Sequence, residues 1–364
     1  MRFVFASYIV TDTYSQPEAW LYRIRAYTGM LEALSATQEV ISIEQINYEG
    51  DYVKDGVQYK FKRFGYSRLR RALQLNRYIK SLNPDVVFIQ SLHFPVQVTA
   101  LRWQLGVGVK IMVQNHAERP FIGIKKYLQR FADRYINAYL FASQQMGIDW
   151  VEKGNFASTQ KIHEVMEVSS VFHPVDRLLA VEKTGVSGQA YLWVGRLNEN
   201  KDPLNVVNAF IDFAEQHPDA RLYMLYHTEE LLSELKLLLD ERNAHNSVIL
   251  IGEIPNAGLL YWYNSVNFIV SGSHYEGSGT AICEAMSCGC IPVVTDIFSF
   301  RAMTDGGRCG ILYPPGDRGA LLSVLIATTK MDVSLYRQRS LDFFRKNLSF
   351  EAIAQKIQDI AGSL

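Results

Sequence analysis

Apolar positions along this chain alternate between short runs and longer segments with helical spacing. In the first half, the runs predict buried strands and the spaced segments predict helices between them. The predicted strands are residues 3–10, 40–46, 85–90, 110–113 and 139–142, and the predicted helices are residues 20–34, 69–82, 96–105, 125–135 and 144–153. Such alternation indicates an α/β fold with a doubly wound parallel sheet.

The second half repeats this plan after a crossing near residues 164–174. The predicted strands are residues 190–194, 221–226, 248–251, 268–270 and 291–294, and the predicted helices are residues 204–215, 229–241, 259–264, 280–288, 320–326, 334–345 and 351–360. No period of 20–50 residues recurs, which argues against a solenoid. We therefore predict two Rossmann-like domains, residues 1–180 and residues 181–349.

The organising stretch of the sequence is residues 268–295, which is typical of a strand, a loop, a helix and a strand. Its loop is rich in Gly and Ser and follows the carboxyl end of a strand, where open α/β sheets bind ligands. A helix that begins after glycines presents free amides to an anion. The predicted phosphate contacts are the backbone amides of Ser278, Gly279 and Thr280.

Two glutamates stand out in this stretch, because Glu284 is the single charge between Glu276 and Asp296. The other residues of the predicted helix leave Glu284 no clearly solvated face, so its carboxylate needs a hydrogen-bond partner. One interpretation is an ordinary glutamate favoured by the helix dipole. The other is that Glu276 and Glu284 hold hydroxyls of a ligand whose phosphates lie on the helix amides.

A second glycine-containing loop, residues 194–203, follows the first strand of the second domain with the sequence V-G-R-L-N-E-N-K-D-P. Gly195 allows a tight backbone turn. The cations of Arg196 and Lys201 are close enough in the loop to converge on one diphosphate and to neutralise charge on a leaving group. The alternative is that Lys201 is solvated and Arg196 pairs with Glu199.

A lone histidine, His116, lies just past the predicted strand at residues 110–113. A histidine at a strand end is more often structural than functional, so its position alone does not assign a role. His93, at the end of the preceding strand, is a weaker candidate for contact with a second substrate.

Charge is distributed unevenly although the formal net charge is zero. Residues 1–180 carry 22 Lys and Arg against 16 Asp and Glu, and the remainder carries 15 against 21. No global field therefore favours nucleic acid, but the halves are suited to different partners. Residues 60–80 hold eight Lys and Arg and no acid, which indicates either a solvated helix or attraction to anionic lipid or a phosphorylated carrier.

The four cysteines all lie in the second half, without a histidine cluster, and suit the core of a protein in a reducing compartment. The N-terminal apolar run is followed by Thr11, Asp12 and Thr13 and predicts an opening strand rather than a signal peptide. No apolar run approaches the roughly 18 residues of a membrane span. We expect a cytoplasmic protein with a peripheral contact at the inner face of the membrane.

The sequence E-G-S-G-T-A-I-C-E-A-M-S-C-G of residues 276–289 resembles the E-x7-E signature of retaining glycosyltransferases with the GT-B fold, of the family 4 type. Residues 194–202 resemble that family's phosphate site, which handles the leaving group without a metal, and no D-x-D sequence is placed to hold Mg²⁺. The resemblance also implies that His116 lies near the donor sugar. The loop at residues 11–17 departs from the family, because it lacks the glycine pair that many members carry there.

The resemblance implies two Rossmann-like domains that face each other across a cleft, with residues 350–364 crossing back to the first. It implies metal-independent, retaining transfer of a sugar from a nucleotide-diphosphate sugar to an acceptor hydroxyl, in cell-surface glycan or glycolipid synthesis. The partners are then the donor, a glycan or lipid-linked acceptor and an anionic membrane contacted through residues 60–80, with no further cofactor. The alternatives are a nucleotide-sugar epimerase of the same fold and a catalytically silent binding protein.

Overall fold

The computed structural model describes residues 1–65 and 67–364, with the side chain of Arg68 left out. The chain forms two compact units. The first consists of Met1–Ser169 together with Phe350–Leu364, and the second of Ser170–Ser349. Each unit is built on one sheet with helical crossovers, which confirms the α/β class predicted from the alternating pattern.

The first unit contains an eight-stranded sheet that is parallel except for one edge hairpin. Its strands are β1 (Arg2–Ser7), β2 (Glu39–Glu44), β3 (Gly50–Lys54), β4 (Val57–Phe61), β5 (Val86–Gln90), β6 (Lys110–Gln114), β7 (Ala138–Phe141) and β8 (Ile162–Glu164). Its helices before the second unit are α1 (Pro17–Arg23), α2 (Arg25–Ser35), α3 (Arg68–Ser81), α4 (Pro95–Leu105), α5 (Gly123–Ala132) and α6 (Gln144–Glu152). The strand order is β3-β4-β2-β1-β5-β6-β7-β8.

The order of strands explains which helices share a face of this sheet. The chain moves one way from β1 to β2 and the other way from β5 through β7. Because parallel crossovers are right-handed, α3, α4 and α5 lie on one face of the sheet. They pack side by side there, α3 against α4 and α4 against α5.

Four details of the first unit differ from the prediction, and one of them is the short strand β8, which was not predicted. The first strand ends at Ser7, where the Ser7 hydroxyl accepts a hydrogen bond from the amide of Ile9 and competes with the strand pattern. The helix predicted over residues 20–34 is two helices, because the backbone leaves helical geometry at Ile24. The β3–β4 hairpin was not predicted, although its turn, Asp55-Gly56, is a strong hairpin sequence with both φ angles positive.

The second unit contains a six-stranded, fully parallel sheet. Its strands are β9 (Gln189–Gly195), β10 (Ala220–Tyr226), β11 (Val248–Gly252), β12 (Phe268–Ser271), β13 (Ile291–Thr295) and β14 (Ile311–Tyr313). Its helices are α7 (Arg177–Thr184), α8 (Pro203–Gln216), α9 (Leu232–Glu241), α10 (Leu259–Ser265), α11 (Thr280–Ser287), α12 (Phe298–Met303), α13 (Arg318–Thr328) and α14 (Val333–Phe343). Among these, α7, α12 and β14 are short and were not predicted.

The boundary between the units lies earlier than the predicted 180/181. Residues after Ser169 already belong to the second unit, where the amide of Val175 donates to the Asn264 side chain at 2.9 Å and α7 packs against α10. The last helix, α15 (Phe350–Ser363), belongs to the first unit and packs on α2. Gly29 permits this contact, because a Cβ there would lie 2.6 Å from the Phe350 ring.

The strand order of the second sheet, β11-β10-β9-β12-β13-β14, reverses direction between β9 and β12. The carboxyl ends of these two neighbouring strands therefore flank a topological switch point, the usual ligand position in such sheets. Aromatic side chains of β9, β12 and α8 fill the core behind them. Within the described residues, no helix has the length and apolar character needed to cross a bilayer.

Candidate functional site

The two loops at the switch point of the second unit are bonded to each other. The amide of His274 donates to the carbonyl of Asn200 at 2.8 Å, and the Asn200 side chain donates to the carbonyl of Tyr275 at 3.0 Å. Gly272 makes this approach possible, because a Cβ there would lie 2.8 Å from Val206 and 3.2 Å from two backbone oxygens. The glycine therefore serves close packing between the loops.

An ion pair between Lys201 and Glu276 joins the same two loops. Nζ of Lys201 contacts Oε1 of Glu276, and the Glu276 side chain is 13% exposed. Asn198 orients the lysine, since its side chain accepts a hydrogen bond from the Lys201 amide at 3.1 Å. The sequence analysis placed these two side chains on different parts of a ligand and did not predict that they pair.

Arg196 lies beside this pair in sequence but is exposed. Within the described part of the chain, its guanidinium forms no hydrogen bond or ion pair, so the alternative pairing with Glu199 is not formed. A Cβ at Gly195, the last residue of β9, would lie 3.1 Å from the ring of Trp193. Arg196 therefore leaves the sheet edge with its five donors available.

The start of α11 has the predicted form of a glycine-preceded helix N-terminus. Gly279 has a φ of 59° and precedes the first helical residue, and a Cβ there would lie 2.6 Å from Phe300. Ser278 is buried and Thr280 is exposed. The amides of the first turn lack intrahelical acceptors and can bind an anion.

Glu284 is half-buried on α11 and accepts a hydrogen bond from the hydroxyl of Tyr263 at 2.8 Å. Tyr263 is fully buried, and burial together with the charge of Glu284 raises the pKa of its phenol well above the ordinary value. The hydroxyl therefore remains a donor that orients the carboxylate. Sequence reasoning missed Tyr263, because α10 precedes this stretch and nothing in its pattern indicated a contact with α11.

His116 belongs to the first unit and is held by two side chains. Its Nδ1 lies 2.9 Å from Oε2 of Glu167, and its Nε2 contacts Oε1 of Gln90 at the end of β5. Burial disfavours the charged imidazole, yet the hydrogen bond and charge of Glu167, with the charge of Glu118, outweigh it and raise the pKa of His116 above 6.5. A protonated ring donates from both nitrogens.

A buried carboxylate, Glu118, builds the loop that carries His116. It accepts hydrogen bonds from the Ser91 hydroxyl at 2.5 Å, the Leu92 amide at 3.0 Å, the Asn115 side chain at 2.9 Å and the His116 amide. These bonds join the loops after β5 and β6. Sequence reasoning missed Glu118, because an acid two residues past a histidine does not indicate which loop it will bind.

The weaker candidate His93 lies in a small aromatic and basic cluster of the same unit. Its ring stacks on Phe121, and its Nδ1 lies 2.9 Å from the ammonium of Lys125. The Lys125 ammonium also lies 3.9 Å from the centre of the Phe121 ring, and burial lowers its pKa. His93 lies beyond the end of β5, and its contact with a second substrate stays a prediction.

Cations of the basic segment at residues 60–80 form ion pairs with acids outside the segment. Lys60 and Lys62 both pair with Asp51 of the neighbouring hairpin strand. On α3, Arg70 and Arg77 are exposed, while Tyr66 and the side chain of Arg68 fall outside the described residues. Arg63 lies 3.9 Å from Asp12, in the loop after β1. Three of the cations are thus already partnered, and the sequence alone did not show this because their partners lie outside the segment.

No set of three His, Cys, Asp or Glu side chains gathers as metal ligands in residues 1–65 and 67–364. The predicted site residues fall into two groups. Gly195, Arg196, Lys201, Glu276, Ser278, Gly279, Thr280 and Glu284 surround the switch point of the second unit, and His116 belongs to the first.

A family model matches part of the second unit by sequence, and solved structures match the whole chain by fold. Residues 182–337 match the family model described as glycosyl transferases group 1. Mannosylfructose-phosphate synthase of Agrobacterium fabrum is 29% identical over 159 residues, covering 40% of this chain and 35% of that protein. Phosphatidyl-myo-inositol mannosyltransferase of Mycobacterium leprae is 27% identical over 150 residues, covering 40% of this chain and 38% of that protein.

Among solved structures, the chain superposes on Anabaena HepE in complex with UDP and glucose with a TM-score of 0.72. The sequences are 13% identical, and each chain is fully covered. At this identity the likeness establishes the fold. The chain spans little more than a third of the length of these curated relatives.

Proposed function

We propose that the chain transfers a sugar from a nucleotide-diphosphate sugar to an acceptor hydroxyl, a function that the match of residues 182–337 to the glycosyl transferases group 1 model supports. The observation that carries the proposal is the bonded pair of loops at the switch point of the second unit. There a free guanidinium, an ammonium, helix amides and two carboxylates lie around one sheet edge.

The second unit is the proposed donor site. The diphosphate lies on the amides of Ser278, Gly279 and Thr280 and is neutralised by Arg196 and Lys201. Glu284, fixed by Tyr263, accepts both vicinal hydroxyls of the ribose. Glu276 binds hydroxyls of the sugar, and its pairing with Lys201 supports a sugar contact next to a phosphate contact.

The proposed reaction retains configuration and uses no metal. The bond between the anomeric carbon and the diphosphate oxygen breaks, and the acceptor oxygen attacks from the same face. The acceptor proton passes to an oxygen of the departing diphosphate. Negative charge grows on that diphosphate as the bond breaks, and preorganised cations and amides stabilise such charge most in the transition state.

The first unit is the proposed acceptor site, with His116 as a hydrogen-bond donor to a sugar hydroxyl. Its raised pKa and its contact with Glu167 support a fixed donor rather than a general base. Because Nδ1 contacts Glu167 and Nε2 contacts Gln90, Nε2 would exchange Gln90 for the sugar hydroxyl. A glycan or lipid-linked acceptor at the cytoplasmic face of the membrane is part of the proposal. The exposed cations of α3 support a peripheral contact with anionic lipid through residues 60–80.

The experiment is a screen of UDP-, GDP- and ADP-sugars for slow release of the nucleoside diphosphate, first without acceptor and then with glycan and polyprenyl-linked acceptors. We expect one base to support release, the rate to be unchanged by a chelator, and the product to keep the anomeric configuration of the donor. An epimerase would convert the donor without any acceptor and without transfer. Binding without release for every donor would favour the silent binding protein and contradict the transferase.

A further inference from the structure

The helix α5 exposes its apolar side rather than burying it. Ile124 is 79% exposed and Tyr127 is 70% exposed, and Leu128 and Phe131 are also exposed. These four residues, at spacing i, i+3, i+4 and i+7, form one continuous stripe along the helix, named here the α5 stripe. The positions that face the protein are Gln129 and Ala132.

This arrangement is inverted relative to an ordinary surface helix. The buried side of α5 makes a polar contact, because the Gln129 side chain donates to the hydroxyl of Tyr139 at 3.2 Å. An apolar stripe at helical spacing normally packs on the sheet below. Here the stripe faces away from the sheet, and contiguous exposed apolar surface marks an interaction site.

The neighbouring helix α4 extends the apolar surface. Trp103 of α4 is 68% exposed and meets Tyr135 edge to face, and Tyr135 meets Phe131 of the stripe in the same way. Val107, just past α4, is also exposed. The surface therefore runs the length of α5 and ends in an aromatic cluster, with a tryptophan suited to a membrane–water interface.

The charges around the stripe are positive. The helix α5 contains Lys126 and Arg130 and no acid, and Arg134 follows it. None of these three cations forms an ion pair with a described residue. The nearest acid, Asp133, is buried and is bonded to the amide of Ala157 at 2.8 Å.

We propose that the α5 stripe, with Trp103, is a docking surface for an anionic lipid bilayer, on which α5 lies parallel to the membrane plane. Apolar side chains on one side of a helix with Lys and Arg beside them are the features of interfacial helices. A bilayer with anionic headgroups supplies both the apolar phase and the negative charge. A symmetric dimer through the same patch would instead bring two sets of cations together in an interface to which α5 contributes no acid, which is unfavourable.

The surface is distinct from residues 60–80, although α3 shares its face of the sheet. The cations of α3 supply attraction that salt screens, whereas the stripe supplies insertion that salt does not screen. The inference does not depend on the transfer reaction, because vesicle binding is measured without any sugar nucleotide. Failure of one proposal therefore leaves the other to be tested separately.

The test uses the full chain with vesicles of equimolar phosphatidylcholine and phosphatidylglycerol, and with vesicles of phosphatidylcholine alone. Binding is measured by co-sedimentation, and insertion by the emission of Trp103, since the described surface exposes no other tryptophan to this degree. We expect binding and a blue shift with the anionic vesicles, and loss of the shift but not of most binding in Trp103→Phe.

The paired substitution Ile124→Ser and Tyr127→Ser should lower the partition coefficient on the order of a hundredfold, about tenfold for each inserted side chain. Replacing Lys126 and Arg130 by Gln should lower it roughly fivefold per charge and reduce its salt dependence. Ile124, Tyr127 and Arg130 are exposed and Lys126 is half-buried at the surface, so thermal unfolding should change little. The matched control is Leu178→Ser in α7, an equally exposed leucine of the second unit that should bind vesicles like the unchanged protein.

Three results would overturn the inference. Wild-type binding to anionic vesicles that is absent, or that survives the paired serine substitution, removes the stripe as the docking surface. If the paired substitution Arg70→Gln and Arg77→Gln abolishes binding, and Trp103 emission does not shift on binding of the unchanged protein, the contact belongs to α3. A concentration-dependent dimer that the paired serine substitution dissociates assigns the stripe to a second copy of the chain.

Discussion

The two glutamates of the donor site should separate nucleotide binding from turnover. In Glu284→Gln the carboxylate that Tyr263 orients at 2.8 Å becomes a neutral amide, and the proposed ribose contacts lose their charge. In Glu276→Gln the carboxylate that pairs with Lys201 is removed, and the ammonium is released towards the diphosphate. The first change should weaken binding of the nucleoside diphosphate, and the second should leave it unchanged or tighten it.

The magnitudes follow from the kinds of bond. A hydrogen bond to a charged group contributes about 1.5–3 kcal/mol and a neutral one about 1 kcal/mol, so neutralising Glu284 should cost about 1–4 kcal/mol over two ribose hydroxyls, or roughly 5- to 900-fold in Kd. Tyr263→Phe, which removes only the orienting bond, should cost about fivefold. Glu276→Gln should lower kcat by on the order of 10²-fold, because its sugar contact changes as the ring flattens towards an oxocarbenium ion.

The assay is calorimetric titration of each variant with UDP, or with the diphosphate of the base that supports release. Glu253→Gln, an exposed glutamate of the same unit, is the matched control and should bind normally. Tyr263→Phe separates the orientation of the Glu284 carboxylate from its charge. Its effect on Kd should have the same direction as that of Glu284→Gln but should be smaller. If Glu276→Gln loses the nucleotide while Glu284→Gln keeps it, the donor lies in the reverse orientation.

Further predictions concern the cations and the first unit. Arg196→Ala and Lys201→Ala should each lower turnover on the order of 10²–10³-fold with little change in thermal unfolding, and near-normal turnover would remove the diphosphate assignment. Glu118→Gln should destabilise the protein by about 3–5 kcal/mol in chemical denaturation, since it leaves buried donors facing an amide, and a loss below about 1 kcal/mol would contradict this. The pKa of His116 is raised in the folded protein. The stability that its contact with Glu167 contributes should therefore be full below pH 6.5 and lost as pH rises through the raised pKa. In Glu167→Gln, this pH dependence of the melting temperature should be abolished.

Most helices and strands followed from periodicity, because a strand buried on both faces and an amphipathic helix each impose a pattern on the sequence. The short elements escaped for a physical reason. A strand of three residues such as Ile311–Tyr313 is too short to show a period, and tertiary pairing rather than local pattern fixes it. The helix at residues 125–135 was predicted by spacing alone, and spacing does not reveal that its apolar side faces outwards.

The site was predicted as a set of residues but not as a set of contacts. Glycines and charges after two strand ends indicated the loops, and strand order then made those loops neighbours. Lys201 pairs with Glu276 across 75 residues of sequence, and Tyr263 reaches Glu284 from another helix. Such contacts depend on the packing of one loop on another, for which a single sequence carries no direct evidence.

The uneven charge of the chain bears on how the donor site would work. The half of the chain that contains the switch-point loops carries an excess of acids, so its overall field does not attract a diphosphate. Binding must then rest on local groups, namely the helix amides, Arg196 and Lys201. Lys201 is neutralised by Glu276, which leaves Arg196 as the unpaired cation of the site among the described residues. A diphosphate that draws Lys201 away from Glu276 would leave that carboxylate free to meet the sugar, and one ion pair would thereby couple phosphate binding to sugar positioning.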